Sequence, residues 1–556
     1  MAAEGAMDEP SHVAASTGGQ IANLRRRVTE LSLSWPGLTS VLLGLVAACG
    51  YPPLHAWWIA LPALALFIAH CRQSPTWRQA AWRGWTFGWA HLTLANNWIA
   101  KAFTYQGEMP EVLGWVAVPL LCIYLAFYPM LAATIAHLGA RKTGPLAYGA
   151  VFAAAWIVTE WLRSWVFTGY PWPPLGLMLL GGWDKPGIAV LLPWLGTYAL
   201  SGLVLLLAAL LLISATLKKR WYTPFVVFAG LLISPMMLPV GQGEDGAVRY
   251  TLVQPLIPQD EINDGTKFEE QFQRTANLTL SDSDRPRVIF WPESAIPDYL
   301  EEGYPQRYYR QTTFAADPVI ARQRIGSLIG EQSTLLTGVV NLDIGTRPDG
   351  IEGALSARNS VIALNSQGET THHYAKAHLV PYGEYLPLED WLSAIGLSRL
   401  TAGTIPYQPG PGPETFDLGE LGKIGVQICY EIVFSGQVVD RVNRPDYLFN
   451  PSNDGWFGSW GPPQHLAQAR MRALEEGLPV LRSTTTGISA VIDAEGIVRK
   501  YIPSGVSGKV EGMIPVAKPP TLFAQYGNAL PLFWAILVGL LGVTVPRLLA
   551  MREPQS

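Results

Sequence analysis

Apolar residues are unevenly distributed along this chain. Between about residues 35 and 240 they form runs approaching or exceeding the roughly 20 residues that a helix needs to cross a bilayer. Seven such runs lie near Trp35–Cys49, Ala56–Cys71, Ala81–Ala100, Val112–Leu138, Leu146–Leu162, Ile188–Ala215 and Trp221–Val240, and an eighth spans Ala529–Ala550. The first two are short and separated by Tyr51-Pro52-Pro53, which leaves a single re-entrant pair as an alternative to two spans. After the Gly- and acid-rich linker Gly241–Gly246 the texture changes. Short β-rich runs at Arg249–Val253, Val288–Trp291, Leu335–Val340, Ser360–Leu364, Lys423–Ile428, Tyr447–Phe449 and Ala490–Asp493 predict strands. Helical patterns at Lys267–Leu280, Pro318–Gly330 and Gln464–Gly477 fall between them, and such alternation predicts an α/β domain. The predicted organisation is a polar tail over residues 1–34, a seven-helix membrane domain over 35–240, an α/β domain over 247–515 and a last transmembrane helix over 529–550.

Charge gives these runs an orientation. Only 15% of the 556 residues are charged, against roughly 25% in an average soluble domain. Arg25-Arg26-Arg27, Arg72, Arg78, Arg83, Arg141-Lys142, Lys218-Lys219-Arg220, Arg547 and Arg552 fall on one side of the alternating connections, and Lys101, Arg163 and Lys185 on the other. Positive residues favour the cytoplasmic side, so eight spans predict that the α/β domain lies outside the cytoplasm. A net charge of -4 with no long basic run gives nucleic acid no electrostatic footprint. Nothing in the pattern indicates oligomerisation, and a monomer is expected.

Four cysteines occur, Cys49, Cys71, Cys122 and Cys429, with no CxxC pair to suggest a thiolate metal site. Cys429 stands alone in the polar half. It follows the alternating Ile424, Val426 and Ile428, and by parity it leaves their face, as a nucleophile at a sharp strand exit would. Glu293 follows the strand ending at Trp291, in Phe290-Trp291-Pro292-Glu293-Ser294-Ala295. Lys376 sits among aromatic and aliphatic neighbours in Tyr374-Ala375-Lys376-Ala377-His378, before Leu379-Val380-Pro381-Tyr382-Gly383-Glu384. A thiol with an ordinary pKa near 8.5 needs a base, which Glu293 supplies. The tetrahedral oxyanion needs a fixed positive charge, which Lys376 supplies. Glu384 and Glu431 are expected to hold Lys376, with Tyr430 beside the nucleophile. Trp456 and Phe457, in a loop punctuated by Gly455 and Gly458, are candidates for a lid at the lipid headgroups. His378 and His465 lack metal-ligand spacing, and no metal site is expected.

A Glu, a Lys and a Cys following strands in that order resemble the nitrilase, or carbon–nitrogen hydrolase, superfamily, whose fold is an αββα sandwich. The strings Trp291-Pro292-Glu293-Ser294-Ala295, Leu379-Val380-Pro381-Tyr382-Gly383-Glu384, Ile428-Cys429-Tyr430-Glu431 and Ser452-Asn453-Asp454-Gly455-Trp456-Phe457-Gly458 are similar to its apolipoprotein N-acyltransferase branch. Seven spans, an outer domain and one last span match that branch as well. The chain departs from its pattern at Gln254-Pro255, at Asn450-Pro451-Ser452 and at Thr484-Thr485-Thr486-Gly487.

The resemblance implies a multi-pass inner-membrane enzyme with its nitrilase-like domain in the periplasm. It implies that Cys429 takes a fatty acyl chain from a phospholipid as a thioester. The chain then passes to the N-terminal amine of a diacylglyceryl-modified lipoprotein cysteine, with no metal or organic cofactor. Two alternatives are a membrane-tethered amidase, in which water replaces the amine, and a non-enzymatic membrane scaffold.

Overall fold

In the computed structural model, which describes residues 34–105, 112–214, 219–347, 350–394 and 405–552, every one of the eight apolar runs is helical. The expected tail up to residue 33, with its arginine cluster, lies outside the described residues. The helices are α1 (Pro36–Ala48), α2 (Trp57–Arg72), α3 (Trp77–Ala95), α4 (Val112–Leu125), α5 (Phe127–Ala140), α6 (Pro145–Arg163), α7 (Leu192–Ser214) and α8 (Lys219–Met237). The predicted third run is thus a helix followed by a 3₁₀ stretch, Asn97–Tyr105, and the fourth divides at Ala126 into α4 and α5. By length and composition, Val112–Ala140, Pro145–Arg163 and Ile188–Ser214 are each enough to cross a membrane, and Pro36–Ala48, Trp57–Arg72 and Ala529–Val545 are shorter apolar helices.

Small residues let these helices approach closely. A Cβ on Gly44 of α1 would lie 2.5 Å from the Phe87 carbonyl of α3, and one on Gly149 of α6 would lie 2.3 Å from the Ala209 Cβ of α7. The helix faces turned away from this core carry exposed large side chains, among them Trp115, Leu120 and Leu138.

The polar half contains two six-stranded sheets. One is ordered β12-β1-β2-β3-β4-β5, from β1 (Asp245–Gln254), β2 (Arg287–Phe290), β3 (Thr334–Thr346), β4 (Glu352–Leu364), β5 (Thr370–Ala375) and β12 (Gly508–Pro515). The other is ordered β11-β10-β9-β8-β7-β6, from β6 (Thr415–Asp417), β7 (Lys423–Val426), β8 (Tyr447–Ser452), β9 (Val480–Thr484), β10 (Ser489–Ile492) and β11 (Val498–Ile502). Strands β1–β3 and β7–β9 run parallel, and the remaining pairs are antiparallel. The sheets meet through Phe290, Leu336 and Val361 against Val426, Phe449 and Leu481, with the Phe290 and Phe449 rings 4.8 Å apart. Helices α9 (Phe268–Thr279) and α10 (Pro318–Gly326) cover the first sheet, and α11 (Gly461–Glu476) covers the second. The layers therefore run αββα.

Helix α11 also belongs to the helical half. Leu466, Ala469 and Ala473 pack on the sheet, while Ala467, Met471 and Leu474 join the core of the apolar helices. The Arg470 guanidinium donates to the carbonyls of Gly181 (2.9 Å), Gly182 (2.7 Å) and Lys185 (2.7 Å). Gly196, with φ 71°, kinks α7 and frees the N–H of Thr197. That N–H and the Thr197 hydroxyl both donate to Glu475 Oε1 at 2.6 Å. Glu475 is fully buried, also accepts from Ser435 Oγ at 2.9 Å and pairs with Arg472 at 2.7 Å. Finally, α12 (Ala529–Arg552) returns to pack on α6 and α7.

Removing one partner of a buried ion pair strands the other, at about 3–5 kcal/mol. Glu475→Ala is therefore expected to lower the thermal unfolding midpoint in detergent by many degrees. A midpoint equal to that of the unsubstituted protein would show that the two halves are not joined through this carboxylate.

Candidate active site

Three strand exits converge at one end of the sandwich. Beyond β2 the chain turns at Pro292 and delivers Glu293, with Ser294 at φ 53°. This turn lies flat on β3 because residue 338 is glycine: a Cβ there would approach the Glu293 Cα to 2.7 Å. Beyond β5 comes Lys376, whose N–H donates to the Asn359 carbonyl of β4 at 2.8 Å. Beyond β7 the chain passes Gln427 and Ile428 and enters Cys429 with φ 50°, in the left-handed region that side chains with a Cβ disfavour. The turn is as sharp as a strand-exit nucleophile requires, but the parity expectation does not separate Cys429 from its neighbours: it packs in the same buried cluster as Ile424, Val426 and Ile428.

All three side chains are buried, with Glu293 and Cys429 6% exposed and Lys376 1%. Lys376 Nζ donates to Glu384 Oε1 at 2.9 Å and stands 3.8 Å from Glu293 Oε1. Asn359 Nδ2 bridges the two acids, donating to Glu293 Oε1 at 2.7 Å and to Glu384 Oε1 at 3.0 Å. The Asn453 N–H holds Glu293 Oε2 at 2.8 Å, and the Val380 N–H holds Glu384 Oε2 at 2.8 Å. Burial alone would strip Lys376 of its proton, but Glu384 and Glu293 outweigh it and raise its pKa above the ordinary lysine value. For Cys429, burial and then the Glu293 charge push the thiol well above its ordinary value, with Lys376 pulling the other way. The thiol is thus held as S–H beside a carboxylate, and a thiolate forms only as its proton moves.

The sequence expectation for the supporting residues holds for Glu384 and needs correction for Glu431. Glu431 is not bonded to Lys376. Its Oε1 accepts from the Tyr374 hydroxyl (2.8 Å), the Ala377 N–H (2.7 Å) and the His378 N–H (3.2 Å), and its Oε2 accepts from the Ile428 N–H at 2.7 Å. Glu431 therefore ties the lysine-bearing turn to the cysteine-bearing turn through backbone. Burial pushes its carboxyl up to about 7, against the pull of those donors. Tyr430 is buried, its ring 5.1 Å from Phe434 and its hydroxyl 3.4 Å from the Gly169 carbonyl of the helical half. Phe457 packs edge-on against Trp98 (4.5 Å) and Trp172 (5.7 Å), and Trp456 against Tyr105 (5.8 Å). These two aromatics thus rest against the helical half, and the Gly458 N–H donates to the Trp98 carbonyl at 3.0 Å.

Asn359 and the Asn453 N–H were missed in the sequence. Asn359 lies between Arg358 and Ser360 in β4, so no local pattern singled it out. The departures at Gln254 and at residues 484–485 fit one another. Gln254 Oε1 accepts from Thr484 Oγ1 at 2.9 Å, and Thr485 Oγ1 donates to Asn453 Oδ1 at 2.8 Å.

Known proteins resemble this chain along most of its length. Residues 43–210 match the family described as apolipoprotein N-acyltransferase N-terminal domain, and residues 254–506 match carbon–nitrogen hydrolase. The apolipoprotein N-acyltransferase of Rhodopseudomonas palustris is 30% identical over 575 residues, covering 96% of this chain and 99% of that protein. That of Haemophilus ducreyi is 32% identical, covering 88% and 93%. Among solved structures, Saccharomyces cerevisiae Nit3, of the nitrilase superfamily, covers 51% of this chain and 94% of its own, with 19% identity and a TM-score of 0.34.

Lys376→Met keeps the length of the side chain and removes its charge, leaving Glu293 and Glu384 facing each other. Loss of one preorganised oxyanion partner costs on the order of 10²–10³ in rate. The expected outcome is a fall of that size in the rate at which Cys429 becomes acylated, read by intact mass. An undiminished rate would remove Lys376 from the chemistry.

Proposed function

The chain belongs to the apolipoprotein N-acyltransferase family, and on that premise we propose that Glu293, Lys376 and Cys429 carry out its acyl transfer at the outer face of a bacterial inner membrane. The reaction moves a fatty acyl chain from a phospholipid, through a cysteine thioester, to the N-terminal amine of a lipoprotein's diacylglyceryl-cysteine. The single observation that carries the residue assignment is the Lys376 ammonium held between Glu384 (2.9 Å) and Glu293 (3.8 Å), with Cys429 on its left-handed turn within electrostatic reach of both Lys376 and Glu293.

In the first half-reaction Glu293 takes the thiol proton as Cys429 Sγ attacks the ester carbonyl. The carbonyl oxygen becomes an oxyanion facing Lys376 Nζ. Collapse breaks the ester C–O bond, and Glu293 returns the proton to the departing lysophospholipid alkoxide. In the second half-reaction the lipoprotein α-amine attacks the thioester. Glu293 accepts a proton from the amine and passes one to the leaving sulfur. Asn359 and the Asn453 N–H hold the carboxylate in place through both steps. Neither the amidase nor the scaffold alternative draws support from the relatives.

We further propose that eight spans place residues 247–515 in the periplasm and that the enzyme acts as a monomer. Three helical stretches of crossing length, the outward apolar side chains and the alternation of Lys and Arg between connections support the orientation.

Incubation with phosphatidylethanolamine is expected to add one fatty acyl mass to the protein, removable by hydroxylamine and absent in Cys429→Ala. No adduct under conditions that trap slow turnover would exclude phospholipid as donor. For the orientation, Val442, 99% exposed, and Lys142, also exposed, are the reporters. A membrane-impermeant maleimide added to intact spheroplasts is expected to label Val442→Cys and spare Lys142→Cys, and the reverse pattern would invert the topology.

A further inference from the structure

The left-handed backbone of Cys429 needs something to hold it, and the machinery described so far holds only one side. Glu431 grips the Ile428 N–H, and the Gln427 N–H donates to the Phe449 carbonyl at 2.9 Å. On the other side, the Cys429 carbonyl accepts from His465 Nε2 at 3.0 Å and, more distantly, from Asn450 Nδ2 at 3.4 Å.

His465 is in the first turn of α11, fully buried and fixed from every direction. Its Nδ1 is 2.9 Å from Asp454 Oδ1 and 2.9 Å from Arg482 Nη2, and Arg482 Nη2 also donates to both Asp454 oxygens, at 2.8 and 2.7 Å. Because Nε2 faces a carbonyl, that nitrogen carries a proton, while Nδ1 lies between the Asp454 carboxylate and the Arg482 guanidinium. The Trp172 ring of the helical half packs 5.1 Å from the imidazole, and Phe457 lies 5.7 Å away.

Trp172 is itself anchored twice. Its indole N–H donates to Gln464 Oε1 at 2.7 Å, and its carbonyl accepts from Arg163 at 3.1 Å, with Arg163 3.6 Å from Glu160. The Gln464 amide nitrogen is spent on the Pro52 and Ala95 carbonyls, at 3.2 and 3.1 Å. A continuous set of contacts thus joins the core of the apolar helices to the backbone of the nucleophile.

We propose that His465 is a positioning residue that holds the nucleophile turn by its carbonyl, and that Trp172 fixes His465, so that acylation in the sheet domain depends on its seating against the helical half. The proposal rests on Cys429 being the nucleophile. His465 bonds the carbonyl and not the thiol, so it takes no proton in the reaction. Its effect is on where Sγ points, and a displacement near 1 Å costs about 10²-fold in rate.

The test uses the full-length enzyme in detergent, with phosphatidylethanolamine as probe. Acyl-enzyme formation is followed by intact mass, KM is measured for the same lipid, and the melting midpoint is recorded for every variant. His465→Leu is expected to slow acylation about 10²-fold with KM within about twofold. His465→Gln, which keeps an N–H donor, is expected to recover most of that loss. Trp172→Ala is expected to slow acylation about tenfold at unchanged KM, and the double variant Trp172→Ala/His465→Leu to be no slower than His465→Leu alone. Wild-type acylation by His465→Leu overturns the proposal, as does a His465→Gln as slow as His465→Leu at a wild-type melting midpoint. If His465→Leu does not fold, His465→Gln and Trp172→Ala decide: a Trp172→Ala that folds and acylates at the wild-type rate overturns the coupling. Acylation of Cys429→Ala in parallel would instead sink the nucleophile assignment on which the proposal stands.

Discussion

Everything in this fold depends on a helix with almost no surface of its own. Helix α11 covers one sheet with Leu466, Ala469 and Ala473 and meets the apolar helices with Ala467, Met471 and Leu474. A helix buried on all sides cannot leave its polar groups in water, and an unpaired buried charge is costly. Three of its polar side chains find partners across the boundary: Arg470 on three carbonyls, Glu475 on Thr197, and Gln464 on Trp172, Pro52 and Ala95. Apolar contact alone would let the two halves slide. Directional bonds of this number fix one arrangement, and they fix it at the helix whose first turn touches Cys429.

The same economy of buried charge shapes the reacting centre. For a lysine 1% exposed, burial works against the charged form, and the two carboxylates beside it more than offset that pull. Those carboxylates are in turn held by an amide and two backbone N–H groups, so each negative oxygen has its direction set before any substrate arrives. Preorganisation of this kind is what lowers a barrier whose charge develops on a single oxygen. Glu431 shows the contrast. It is equally buried and equally acidic by type, yet it is used up by backbone donors and holds two turns together.

The sequence made the broad layout legible because hydrophobic periodicity and length are strong signals. The eight apolar runs are helical, and seven β-rich segments coincide with strands β1–β4, β7, β8 and β10. Three of the five remaining strands escaped for physical reasons. β5 is written Thr-Thr-His-His-Tyr-Ala, β6 has three residues, and β11 is an edge whose Lys500 and Tyr501 are exposed and whose Arg499 is drawn into an ion pair with Asp493. The trio Glu293, Lys376 and Cys429 was legible because each follows a strand and stands out chemically from its neighbours. Asn359, the Asn453 N–H and His465 were not. Their roles come from backbone atoms and from contacts between segments distant in the chain, as between Asn453 and Glu293, 160 residues apart, which local pattern does not encode.

A high thiol pKa suits an enzyme that must both make and break a thioester. A pre-formed thiolate would attack readily, but as the more reactive form of sulfur it would also be the form open to oxidation. Here burial and the Glu293 charge keep the thiol protonated at rest. In the proposed mechanism sulfur becomes nucleophilic only when Glu293 removes the proton in the presence of an ester whose oxyanion Lys376 can stabilise. In the reverse sense, a thiolate of high basicity is a poor leaving group unless a proton is at hand, and the proton Glu293 takes from the attacking amine supplies it. One carboxyl group shuttling one proton therefore serves both half-reactions.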